Sequence, residues 1–413
     1  MTINELKTEK VGICVSGGLD SRTITKRLLE AGIDVVCFTA NLAQPDVKDI
    51  SEVKKKMAVC GAPVVAVDFK KEMAEACFQM IKAQAMYDGG YWNTTGIARA
   101  VTVKGLLPEM KKHGCTVLAH GATGRGNDQV RFERYTNVLA PDMKVYAPWR
   151  DPILLKEFPG RTEMANYLKK HGIEAFPGGK KKYSTDANLA GLSHEAEDLE
   201  SLQTPCTIVE PTMGVWPHQA PEKAEKIKIT FKQGRAISLN NKKLSPLDAM
   251  LVANKIGGRN GIGMKHALEN RIIGTKSRGV YEAPGMELLG KALEFIYQAT
   301  LDRRALALFK HLSNLVANQV YDGRLFDPAT QAAFAAINTF AQHATGTITL
   351  VLYKGNIYFD SLTGSPSSLY NPADSSMEKS QGLNPASSQG FMEIQSVEAR
   401  ALARAGQIIS RLL

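Results

Sequence analysis

No apolar run in the 413 residues approaches the roughly 20 that a membrane-spanning helix needs, so the sequence offers no candidate span. The opening "MTINELKTEK" lacks the apolar core of a signal peptide, and "VGICV" behind it is too short to serve as one. A soluble, cytoplasmic chain is the expectation. Cysteine is scarce: six residues, at 14, 37, 60, 77, 115 and 206, form no Cys-x-x-Cys pair. That spacing argues against a zinc site or a disulfide framework, and the apolar or small neighbours of five of them suit reduced core thiols. The Walker loop G-x-x-x-x-G-K-[ST] is missing at the first glycine-rich turn, as is the dinucleotide fingerprint G-x-G-x-x-G. Solenoid repeats are absent too. Negative charge is in deficit: the net formal charge is +10, with a pI near 9.1. That balance permits nucleic acid or a small polyanion as partner, or simply a basic solvated surface. The basic patches with stacking aromatics that a nucleic-acid reader would carry are not found.

What is present is globular in composition, with 44% hydrophobic and 22% charged residues. The length exceeds one ordinary core and predicts two or three domains. "VGICV", "DVVCFTA", "PVVAVDF" and "TVLAHG" read as strands buried on both faces. Between the last two, Met73, Ala76, Cys77, Met80 and Ile81 mark a helix by their spacing. This βα alternation predicts an α/β fold with a doubly wound, mostly parallel sheet over 1–172. The rhythm breaks at "GIEAFPGGKKKYS" (172–184), a linker or mobile loop. Beyond it "KIKITFKQGRAISL" and "TITLVLYKGNIYF" read as hairpins, with long helical patterns between them, so 173–375 is expected to be α+β. A polar connector and a terminal helix occupy 376–413. That helix, near 395–413, would carry Val397, Ala401, Ala405, Ile408, Ile409 and Leu412 on one face. It folds back on its own domain or reaches a neighbouring subunit.

The turn after the first strand reads Ser16-Gly17-Gly18-Leu19-Asp20-Ser21 and opens into a helix. Glycines let the main chain approach a ligand, and amides at a helix N-terminus favour an anion. In the plainer reading, Asp20 or Ser21 caps the helix and the glycines only turn the chain. The hexapeptide "SGGLDS" nevertheless matches the pyrophosphate-binding loop of the ATP pyrophosphatases. With "FTANLAQPD", "HGATGRGNDQVRFE", "APWRD", "STDANLAGLSHEAEDLE" and "ENRIIGTKSRGVYEAPG", it resembles the argininosuccinate synthase family from residue 11 to about 290, and more loosely beyond.

The resemblance implies an adenine nucleotide α-hydrolase-like domain, a synthetase and multimerisation domain, and a homotetramer joined through the C-terminal helix. It also implies a ligase for arginine biosynthesis: the ureido oxygen of citrulline attacks the α-phosphate of ATP, giving citrullyl-AMP and pyrophosphate, and the amine of aspartate then displaces AMP. Mg2+ would travel with ATP rather than on a protein site. Carried over by position, Cys14, Val15, Ser16, Gly17, Gly18, Leu19, Asp20, Ser21, Arg22, Ala40, Gly121, Asp128 and Asp186 would meet ATP. Thr123, Asn127 and Asp128 would meet aspartate. Tyr91, Thr95, Asn127, Arg131, Ser184, Ser193, Glu195, Glu269 and Tyr281 would meet citrulline. Asp20 and Asp128 are the catalytic candidates. Asp128 is expected to hold an ammonium or hydroxyl, and Arg131 to grip a carboxylate with two prongs. Glu195 and Glu269 suit citrulline's α-ammonium, Tyr281 a polar tip, and Asp186 a ribose or a metal-bound water. At Ala40 backbone would meet adenine.

Three departures stand out. Arg22 replaces a small residue of the family loop, so it faces solvent from the first helical turn or adds a phosphate contact. Ala43 stands where glycine is usual. Gly96 stands where some members place a hydroxyl for citrulline, with Thr95 beside it as a substitute. The run Lys180-Lys181-Lys182 reads as a solvated loop flanking an anionic site rather than a nucleic-acid patch. The competing functions are a tRNA-thiolating pyrophosphatase, which needs a well-placed cysteine, and a nucleotide- or RNA-binding protein without catalysis.

Overall fold

The two-sided apolar strands form a sheet whose faces feed two different cores. The computed structural model describes residues 1–47, 49–176, 183–376, 378 and 384–408. Its first part runs β1 (Lys10–Cys14), α1 (Leu19–Glu30), β2 (Asp34–Asn41), α2 (Ser51–Ala58), β3 (Val64–Asp68), α3 (Lys70–Ala83), α4 (Thr94–Lys112), β4 (Val117–His120), α5 (Asp128–Leu139), β5 (Lys144–Tyr146), α6 (Pro152–Glu157) and α7 (Arg161–Lys170). The strands pair in parallel in the order β3-β2-β1-β4-β5. Side chains alternate across each strand. Val35 and Cys37 therefore join Ile13, Ile24, Met57 and Leu168 in one core, while Val36 and Phe38 join Met73, Ile97 and Leu118 in the other. Strand order reverses at β1, so the loops after β1 and β4 diverge at the carboxyl edge, where such folds open a crevice.

The second part contains β6 (Ser184–Asn188), β7 (Gly191–Glu195), β8 (Glu225–Lys232), β9 (Arg235–Leu239), β10 (Lys242–Lys243), α8 (Pro246–Arg259), β11 (Met264–Asn270), β12 (Lys276–Glu282), α9 (Pro284–Thr300), α10 (Arg303–Tyr321), α11 (Pro328–Ala341), β13 (Gly346–Tyr353), β14 (Asn356–Thr363), α12 (Pro372–Ser375) and α13 (Ser387–Arg404). Both expected hairpins, β8/β9 and β13/β14, lie in one antiparallel sheet of order β10-β9-β8-β13-β14. Ile227, Ile229 and Phe231 point inward from it, joining the core that also holds Phe38 and Met73. One continuous apolar core thus links the two halves of the chain. A second antiparallel sheet, β11-β12-β7-β6, was not marked by any alternation in the sequence.

The terminal helix differs from its expected span. It begins at Ser387 and ends at Arg404, because Gly406 takes φ +69° and its N–H closes on Ala403, a glycine stop. Ala405 and Ile408 lie beyond it, and Ile409 and Leu412 lie outside the described residues. No residue of α13 is buried, so the helix does not fold back on its own subunit. The Lys180–Lys182 run also lies outside the described residues. Among the described residues, no helix is long and apolar enough to cross a membrane.

Candidate active site

The glycine turn after β1 leaves its amides open. Gly17 adopts φ +77°, a region that disfavours a Cβ, and Gly18 precedes α1 with no side-chain cap on the helix. Ser21 does not cap that helix: its Oγ accepts from the N–H of Ser16 at 3.2 Å and closes the turn on itself. The unpaired N–H groups of the first helical turn are therefore available to an anion. A Cβ built on Gly121 would lie 3.6 Å from Asp20 Cβ, a measure of how nearly the loops after β1 and β4 touch. Between them opens a cavity of about 600 Å³ that is lined by every residue of the expected ATP set, from Cys14 through Arg22 to Ala40, Gly121, Asp128 and Asp186. Three cations that the sequence reading passed over, Lys56, Arg99 and Arg161, also line it. Arg22 lines it without facing solvent; only 3% of it is exposed. The carbonyl of Ala40 accepts from Gln44 at 2.9 Å, and Ala43 sits at φ +55°, the conformation a glycine would take without strain. Burial pushes the Asp20 carboxyl up and the Cys14 thiol up to about 12. Cys14 is the only cysteine in the cavity among the described residues, and a neutral thiol there is no sulfur nucleophile.

Arg99 joins the two halves of the site. Its Nη2 lies 2.8 Å from Asp128 and 2.5 Å from Asp186, while Arg131 Nη1 holds the other Asp128 oxygen at 3.0 Å. Asp128, expected to meet an ammonium or hydroxyl, is thus engaged by two guanidinium groups. Burial opposes its charge, but Arg99 and Arg131 together hold the carboxyl below its ordinary value. Asp186 is raised, by burial first, with only Arg99 opposing it strongly and Asp128 repelling it. Arg131 donates through Nε to the carbonyl of Tyr321 at 2.9 Å and lies over that ring at 4.9 Å. Its Nη2 is buried with no hydrogen-bond partner, a donor left for a ligand oxygen. Asn127 donates to the Tyr321 hydroxyl at 2.8 Å and accepts from the N–H of Ile272 at 2.9 Å. Thr123 stands in the same loop, with its Oγ1 against Gly126.

Register explains how the remaining candidates meet. Ser184 pairs with Glu195, Asp186 with Ser193, Ser193 with Tyr281, and Ser277 with Glu269. Paired residues in antiparallel strands share a face, and alternate residues return to it. Ser184, Asp186, Ser193, Glu195, Glu269 and Tyr281 consequently stand on one face of the four-stranded sheet. Tyr91 stacks on Tyr281 with ring centres 4.2 Å apart, and its hydroxyl accepts from the N–H of Thr95 at 3.0 Å. Thr95 turns its hydroxyl to Asp186. At Gly96 a side chain would crowd α10, since a Cβ would stand 3.0 Å from the Val320 carbonyl and the neighbour would have to give by a few tenths of an ångström. Glu195 is pushed up to about 7, by burial and then by the charge of Glu269, itself raised by burial. Of the set expected to meet citrulline, only Ser184 lines the 600 Å³ cavity; the others lie outside its lining. A separate cleft of about 440 Å³, on the outer side of α5 beside Arg134 and Arg324, contains none of the expected residues.

The fold is that of a nucleotide-binding α/β protein, with a glycine loop at the switch point of a parallel sheet and a polar sheet face of serines and acids beside it. Two family models match the chain: the arginosuccinate synthase N-terminal HUP domain over residues 10–174 and the arginosuccinate synthase C-terminal domain over 183–402. Argininosuccinate synthases of Thermotoga sp. (strain RQ2) and Thermotoga petrophila are each 38% identical over 402 residues, covering 95% of this chain and 97% of the relative. The argininosuccinate synthase of Rhodopirellula baltica is 38% identical over 395 residues with the same coverage. The chain belongs to the argininosuccinate synthase family. It is a ligase that joins citrulline to aspartate through a C–N bond, consuming ATP and releasing AMP and pyrophosphate.

Proposed function

We propose that the 600 Å³ cavity holds ATP, with its β and γ phosphates on the Ser16–Ser21 turn, and that citrulline lies against the polar face of β6, β7, β12 and β11. One observation carries this division: the cavity wall formed by Ser184 and Asp186 belongs to the same sheet face that presents Glu195, Glu269 and Tyr281. A urea carbon is a poor electrophile, and adenylation gives it a leaving group. The ureido oxygen bonds to the α-phosphorus as the bond to the β-phosphate oxygen breaks, and pyrophosphate stays in the loop. The aspartate nitrogen then bonds to the ureido carbon, the C–O bond breaks, and AMP departs with that oxygen while the nitrogen loses a proton. In this scheme the protein acts by positioning and charge stabilisation.

Within it, Lys56 and Arg161 add cations to the loop amides, and Asp20 stands in the first turn beside the phosphates. Asp128, fixed by Arg99 and Arg131, orients the aspartate amine, together with Thr123 and Asn127. The unpartnered Nη2 of Arg131 receives a citrulline carboxylate oxygen. The raised carboxyls of Glu195 and Glu269 receive its ammonium, which draws their protons off. Mg2+ would be carried by ATP, since it keeps much of its water and is usually bound through phosphates. Bound there it would supply charge neutralisation on the phosphates, and of the cavity carboxylates Asp20, Asp46, Asp128, Asp186 and Glu197, Asp20 and Asp186 would meet its water shell. The proposal extends to a division near residues 172 and 375, a cytoplasmic setting suited to six free cysteines, and a homotetramer joined by α13.

Citrulline labelled with heavy oxygen in its ureido group tests the chemistry. The label is expected in AMP, and pyrophosphate release is expected to need citrulline. Label retained in the amino-acid product, or pyrophosphate released equally without citrulline, would refute the scheme.

A further inference from the structure

Among the described residues Arg22 forms no ion pair with a carboxylate, although it is buried to 3% exposure. Its Nε donates to the carbonyl of Gly18 at 3.3 Å, Nη2 to that of Ala175 at 2.7 Å, and Nη1 to that of Glu174. Gly18 is the residue from which α1 departs, so this bond fixes the carbonyl behind the amides that face the cavity. Ala175 and Phe176 form part of the cavity wall, and Arg161 lies over the Phe176 ring at 5.9 Å. The wall is therefore held between two arginines. Carbonyl dipoles satisfy the donors of Arg22 but do not neutralise it, and among the described residues it enters no ion pair. A buried cation offset only by the nearby, unpaired carboxylate of Glu174 is costly to the empty site and favours one filled by an anion.

We infer that Arg22 is a positioning residue for the nucleotide's pyrophosphate moiety. It staples the Glu174–Ala175 wall to the phosphate loop and leaves one buried positive charge for the phosphates to neutralise. The inference rests on reading the cavity as the ATP site. It also gives the departure from the family's small residue a purpose: a serine or threonine at this place could neither reach the wall nor carry charge. Lysine would keep the charge, but its single ammonium cannot span two successive carbonyls and that of Gly18 as a planar fork does.

The test uses the full-length enzyme and its R22M and R22K variants, with inorganic pyrophosphate as a calorimetric probe and KM measured for each substrate. R22M is expected to weaken pyrophosphate binding and raise the KM for ATP about tenfold, equivalent to about 1.4 kcal/mol. The KM values for citrulline and aspartate should stay within about twofold. R22K should recover part of the pyrophosphate affinity, and the residual binding of R22M should depend less on salt than that of the parent. Pyrophosphate binding by R22M equal to the parent's would overturn the inference, as would an equal rise in all three KM values. If R22M does not fold, R22K decides alone: affinity matching the parent's removes the staple. Failure of the unaltered enzyme to bind pyrophosphate would refute the cavity reading itself, and the inference with it.

Discussion

Glu195 and Glu269 share one face of the four-stranded sheet, with Arg131, Arg271, Asp128 and Asp186 as their charged neighbours. Burial and mutual repulsion favour protonation of Glu195, to about 7, whereas an incoming ammonium needs the carboxylate. Citrulline capture should therefore strengthen as pH rises, kcat/KM for citrulline climbing toward a plateau above about 7. In Glu269→Gln the neighbouring charge is gone, so Glu195 loses its proton at lower pH and the inflection moves down, even if the plateau also falls. An inflection that stays in place would separate Glu195 from the profile. At this scale the sequence was generous about which residues gather and poor about what each touches. Arg131 was read as a two-pronged grip, yet two of its nitrogens already bind Tyr321 and Asp128. Arg99 was overlooked, although it follows Thr95 by four residues and so shares its helical face. A lone arginine in a helix gives no sign that two distant carboxylates will converge on it.

The parallel strands were legible because both their faces are apolar, which leaves few other readings. The sheet of β6, β7, β11 and β12 was not, because neither face looks like a core. Its front carries serines and acids, Ser184, Asp186, Ser193, Glu195 and Glu269. Behind it, His194 and Glu282 pair at 2.7 Å, and Glu282 also accepts from the N–H groups of Thr212 and Met213. "GLSHE" therefore shows neither an apolar run nor an apolar alternation, and its strand character depends on partners far away in sequence. Gly279 matters to this element for its lack of a side chain: a Cβ would come 2.5 Å from the Tyr281 ring, which leans back along its own strand. Gly279→Ala should displace Tyr281 and its stacked partner Tyr91. The expected cost is about 1–3 kcal/mol in stability by overpacking. KM for citrulline should rise by about tenfold, with KM for ATP little changed. Parallel rises in both would locate the damage in the whole cleft rather than in the proposed citrulline site.

Across the whole molecule, the site exists only because the halves share a core and place Arg99 and Asp128 of the first against Asp186 of the second. Assembly is a separate question, and it turns on α13. Phe391, Ile394, Val397 and Leu402 fall on one side of this helix, and Ile394 is 71% exposed, although each would contribute about 1.5–3 kcal/mol if fully buried. Of the stripe expected from the sequence only Val397 and Ala401 lie on α13; the helix ends before the rest because Gly406 stops it, and Phe391, Ile394 and Leu402 supply the apolar side instead. With a charge of +10 on each copy, long-range electrostatics opposes association, so an interface built on α13 must rest on apolar burial. Added salt screens that repulsion and strengthens the apolar contact. The proposed tetramer should therefore persist in about 1 M salt, where the screening length is only about 3 Å. Removal of residues 384–413 should instead give a smaller species in light scattering while the fold of the remaining chain survives, since no residue of α13 is buried in its own subunit. A truncated chain that remained tetrameric would assign the joint to another surface, and a tetramer that fell apart in salt would show that charge pairs, not this stripe, hold it.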